Sequence, residues 1–87
     1  MISREFKISL KVFRKRKITL LQHKLRVVMK CYTVNSFTLN EDDNTFTFKK
    51  TYLRSGIKFD DSKVNTGFLE IIDIPDSEDI LLKVHVH

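Results

Sequence analysis

The chain has 87 residues, 41% of them apolar, with seven Phe, two Gly and one Pro, and a formal charge of +5. That length leaves room for one hydrophobic core, and that composition excludes a disordered tail or a low-complexity linker, so one domain over residues 1–87 is expected. No apolar run approaches the ~20 residues needed to span a bilayer, and the single Cys31 cannot form an internal disulfide. A cytoplasmic location follows as the expectation, for a whole protein or for a fragment of a longer chain with a cytoplasmic domain.

Taken in chain order, "FKISLKV" comes first. Phe6, Ile8, Leu10 and Val12 alternate with Lys7, Ser9 and Lys11, the two-residue period of a half-buried strand. From residue 16 the period changes. Ile18, Leu21, Leu25, Val28, Met29 and Tyr32 fall on one stripe of a helix, which predicts a helix over about residues 16–32. Val27, Val28, Thr33 and Val34 favour strand over helix, so an earlier helix end, with residues 27–34 as strand, fits the same segment. If the helix runs its full length, Leu20, Val27 and Cys31 make a second apolar line opposite the first. A helix lying on one face of a sheet needs one stripe only. The second line is therefore a candidate interface for a returning loop, a second subunit or another part of a longer chain.

Beyond the helix the pattern is strand throughout. Phe37 and Leu39, then Phe46 and Phe48, alternate with Ser and Thr around "EDDN", which reads as a hairpin. Ser55-Gly56 and Asn65-Thr66-Gly67 are turn signals, with Ile57 and Phe59 between them as a short strand. "GFLEIIDI" and "DILLKVHVH" flank "PDSE" and give two more strands, with Phe68, Ile72 and Ile74 on one face of the former and Leu82, Val84 and Val86 on one face of the latter. The expected fold is α+β, one helix packed on a mainly antiparallel sheet in the order β-α-β-β-(β)-β-β. The expected core is Phe6, Ile8, Leu10, Leu21, Leu25, Val28, Phe46, Phe48, Ile72, Leu82 and Val84.

Charge divides the chain. Residues 1–30 carry ten Lys and Arg against the single Glu5, whereas the remainder carries six cations and ten anions. Such a division marks a basic binding face, or two halves that attract each other across the fold. The densest stretch is "FRKRK": Phe13 followed by Arg14, Lys15, Arg16 and Lys17. Four cations neutralise phosphates and Phe13 offers a ring to a base or a lipid interface, but adjacent cations on a connection point in different directions. The run reads first as a solvated strand-to-helix connection, and Arg14, Lys15, Arg16 and Lys17 are the candidate contacts to an acidic partner.

No catalytic, cofactor or metal signature accompanies this. His85 and His87 project from one face of the last strand, yet two imidazoles fall short of a zinc shell, and they read as exposed edge histidines. The pairs and triplets of Asp and Glu fall in turns, where they solvate and cap the backbone. His23 and Cys31 stand about two helical turns apart, ~12 Å, too far for a nucleophile and its base. A non-catalytic interaction or regulatory domain acting through protein–protein contacts or self-association is the leading expectation. The alternative is a basic domain that binds nucleic acid or an anionic membrane surface through residues 1–30.

Overall fold

The computed structural model describes residues 1–52 and 63–87. Strand β1 (Ile2–Ser9) leads into two short helices, α1 (Leu10–Lys15) and α2 (Lys17–Val28), and then into β2 (Tyr32–Asn40), β3 (Thr45–Tyr52), β4 (Asn65–Asp73) and β5 (Asp79–Val86). The five strands form one antiparallel sheet in the order β1-β5-β4-β3-β2. This is the expected α+β class, mostly sheet, and β2 through β5 are a simple meander. The expected short strand at Ile57 and Phe59 lies outside the described residues.

The helical layer differs from expectation in two ways. The described residues hold two helices instead of one, because α1 takes over Leu10 and Val12, which the alternation assigns to the first strand. Phe13, three residues after Leu10, turns into the core and is only 5% exposed, which gives α1 its own inward stripe. The main helix also stops at Val28 and not near residue 32, where the β-branched pair Val27-Val28 gives way to a turn and then to strand. β1 and β2 are the two edges of the sheet, so the helical connection between them has to span its whole width.

One face of the sheet is covered by these helices. Ile8 on β1, Ile80, Leu82, Val84 and Val86 on β5, Leu69 on β4, Phe46 and Phe48 on β3 and Val34 on β2 meet Phe13, Leu21, Leu25 and Met29 in a single buried cluster. Of the expected core, Phe6, Leu10 and Val28 are half-buried and Ile72 is exposed. Strand β4 is in the opposite register to the one expected: Leu69 and Ile71 face the helices, while Phe68 and Ile72 face away. The reason lies in "GFLEII", which has apolar residues on both faces and so no alternation to read.

Asn65-Thr66-Gly67, expected as a turn, opens β4. Gly67 sits in the strand because nothing larger fits there: a Cβ would collide with the His85 carbonyl oxygen and with the end of the Phe46 ring. The glycine thus marks a close approach, the usual meaning of Gly inside a strand. The β2–β3 turn is held by its acidic tetrapeptide. Asp43 accepts from the Thr45 hydroxyl (2.6 Å) and the Thr45 N–H (3.0 Å), and Asn44 takes a positive φ of 57°. These hydrogen bonds hold the Asp43 carboxyl below its ordinary value, the hydroxyl bond being the larger cause.

Candidate functional site

The basic run is built into the corner between α1 and α2. Leu10 N–H donates to the Glu78 carbonyl (2.9 Å), which ties the start of α1 to the β4–β5 turn. The helix then places Phe13 inward, so the cations around it are forced outward. Arg16 breaks the helical geometry (φ −134°, ψ 40°) and its N–H still closes the last turn on the Val12 carbonyl, after which α2 begins. The expected solvated connection is therefore a helical elbow, with Arg14 and Lys15 in the last turn of α1, where positive charge complements the carbonyl end of a helix.

The four candidate cations separate. Lys17 is drawn back, its ammonium 3.7 Å from Glu41 and 5.4 Å from the centre of the Phe13 ring. Arg14 and Lys15 line an open groove of about 620 Å³ together with Leu10, Lys11, Ser77 and Glu78. Lys15 and Arg16 line a second, smaller hollow of about 210 Å³ with Val12. Lys15 lines both. Lys11 was absent from the expected contacts. Its signal was a helical one, three and four residues before Arg14 and Lys15, hidden by the strand alternation of the same residues.

The charge division has two outcomes in one fold. Lys7 reaches Asp79 (3.9 Å) and Lys17 reaches Glu41, so part of the basic half is met by the acidic half. Lys24 and Arg4 lie over the Phe6 ring at 5.0 and 5.5 Å. Lys11, Arg14, Lys15 and Arg16 are all exposed, and among the described residues none of them has an ion-pair partner.

The second apolar line of the helix does not assemble. Leu20 and Val27 are half-buried, with Leu20 packed against the core, and Cys31 lies beyond the end of α2, exposed in the turn before β2.

On the uncovered face of the sheet, β5 is an inner strand between β1 and β4, which corrects the reading of His85 as an exposed edge residue, whereas His87 lies just past the strand and is exposed. The His85 side chain, 13% exposed, bonds the Ser3 hydroxyl through Nδ1 (2.7 Å) and the Glu70 carboxylate through Nε2 (2.6 Å), and stacks on Phe68 at 4.3 Å. Phe68 also touches His87, at 5.7 Å between ring centres. Serine, imidazole and carboxylate in a row are the parts of an acyl-transfer relay, but the hydroxyl needs donors beside it to receive an oxyanion. The N–H groups of β5 are committed to its two neighbours in the ladder, and Ser3 lies on the edge strand β1. The contacts of His85 link β1, β5 and β4 across the open face. Among the described residues no cluster of three or more His, Cys, Asp or Glu is arranged to hold a metal ion, and no helix is long and apolar enough to cross a membrane.

No protein-family model, no curated protein and no solved structure matches the chain.

Proposed function

We propose that the chain is a small non-catalytic binding domain that engages a polyanionic partner through the α1–α2 elbow. One observation carries the reading: Lys11, Arg14, Lys15 and Arg16 are exposed, lack ion-pair partners among the described residues and line two hollows that share Lys15. Charge left unpaired on a rigid element has a defined position toward a partner, and a surplus of this kind raises both affinity and encounter rate. Glu78 is the single carboxylate among the groove-lining residues, so the local balance stays positive. A cytoplasmic setting is part of the proposal.

A second reading, docking of another protein or a second copy, has its own observation. Ile72, 40% exposed, lies on the uncovered face beside Leu81 and on the same side as Phe68, a small apolar area on an otherwise polar surface. It is the weaker of the two, because the face is mixed in charge and already paired within itself, Glu5 with Lys83 and Glu70 with His85.

The test is titration with duplex DNA, single-stranded RNA and anionic vesicles at low and physiological salt. The intact protein is compared with Lys11→Gln/Arg14→Gln/Lys15→Gln/Arg16→Gln and with a control, Lys30→Gln/Lys49→Gln. The elbow variant is expected to lose at least tenfold in affinity for whichever polyanion binds, with the control little changed. On duplex DNA the salt slope should fall by about 3 to 4, near −0.9 per phosphate neutralised. Equal losses in the two variants would remove the elbow as the site.

A further inference from the structure

The geometry points to an anionic lipid surface as the partner of the elbow, an inference that rests on the polyanion-binding reading above. Recognition of single-stranded nucleic acid depends on exposed rings that stack on bases. The ring in the basic run, Phe13, is 5% exposed and held in the core beneath Lys17, so it has no face to offer. Reading of duplex DNA depends on a helix or a ribbon entering a groove. α1 has six residues and is fastened at its start to the β4–β5 turn, and α2 lays Leu21 and Leu25 on the sheet.

What the elbow does expose is aliphatic. Val12, in the hollow with Lys15 and Arg16, is 46% exposed, and so is Ile18 in the first turn of α2. These two flank Arg16 in sequence, one on each side of the corner. Short aliphatic side chains set among cations suit the boundary between lipid headgroups and acyl chains, where the cations meet phosphate and carboxylate and the aliphatic groups leave water. A phosphate backbone uses the cations alone. The two contributions are separable, which makes the inference testable: each basic residue near an anionic membrane raises partition by about fivefold, and the pair of aliphatic residues together by about tenfold.

The experiment is sedimentation with vesicles of phosphatidylcholine alone and of phosphatidylcholine with about one-third phosphatidylserine, at physiological salt, set beside duplex DNA and single-stranded RNA. The variants are Val12→Ser/Ile18→Ser and the elbow quadruple Gln variant. Far-UV circular dichroism and thermal midpoint confirm that each is folded, as substitutions at exposed positions should be. The intact protein is expected on the anionic vesicles and not on the neutral ones. Val12→Ser/Ile18→Ser should reduce vesicle binding about tenfold and leave nucleic-acid binding at low salt unchanged. Stronger binding to DNA or RNA than to vesicles, or vesicle binding indifferent to Val12 and Ile18, would overturn the lipid inference and leave the elbow reading standing. Absence of binding to every polyanion, or full binding by the quadruple variant, would overturn both.

Discussion

The two faces of the sheet are made from the same strands and held by different forces. On β5 the residues toward the helices, Ile80, Leu82, Val84 and Val86, are all buried aliphatics, whereas their neighbours on the other side are Leu81, Lys83 and His85. The covered face gains from area removed from water, roughly 1.5–3 kcal/mol for each large side chain. The open face gains from cross-strand pairs, each worth about 0.2–1 kcal/mol. The lesson is that register on the covered side is fixed by burial, while the open side is free to carry charge and polar networks at little cost in stability.

The largest break in that comparison should come from Phe46→Ala, which removes a buried ring from the covered face. A loss of about 3–5 kcal/mol is expected, a large part of the ~5–15 kcal/mol of a typical domain, against less than about 0.5 kcal/mol for its exposed neighbour Thr47→Ala. Denaturant unfolding of both variants measures the difference, and similar losses would mean that the faces are not energetically distinct.

Gly67→Ala probes the same face by addition. Because the new methyl meets a backbone carbonyl as well as the Phe46 ring, the strand has to shift, and a loss of about 1–3 kcal/mol is expected. A neutral thermal midpoint would show that the β4–β5 contact is looser than its geometry.

His85→Ala tests the open face. It deletes two hydrogen bonds and the stack on Phe68, yet Ser3 and Glu70 are exposed and can return to water, so about 1 kcal/mol is expected. A loss as large as that of Phe46→Ala would place the network on a par with the core.

The smallest effect belongs to Asp43→Asn in the β2–β3 turn. Since folding lowers the Asp43 pKa, its contribution is present above the unfolded-state value and is lost as pH falls through the folded-state value. The wild type should therefore be slightly the more stable at neutral pH, and the gap should close in acid. A gap that widens in acid would contradict the sign.

How far these features could be read beforehand follows the same division. Phe46 and Phe48, and Leu82 with Val84, alternate with polar residues and were legible as core strands, as were Leu21 and Leu25 on the helix. The start of α1 was not, because Ser9 makes no side-chain cap and the bond that anchors the helix comes from Glu78, far away in the chain. Phe6, Ile8, Leu10 and Val12 satisfy a strand period whatever they become. That one boundary concealed the site as well, since Lys11 joins Arg14 and Lys15 only when the segment is helical.

The pairing of β1 with β5 sets Ile2 against Val86, and this has a consequence for the order of assembly. The meander from β2 to β5 can form hairpin by hairpin, but β1, which precedes them, has no partner until β5 exists. At about 5–20 residues per second on a ribosome, the interval is about 4–16 s. Contacts of such long sequence separation also slow folding of the finished chain, because the loop must close before the pairing is gained. Throughout that interval the β1 segment lacks its pairing partner, and Arg4 and Lys7 give it a charge that discourages pairing with another copy. In the completed sheet the same strand stays at an edge, so the protection against association that serves the nascent chain continues to serve the folded one.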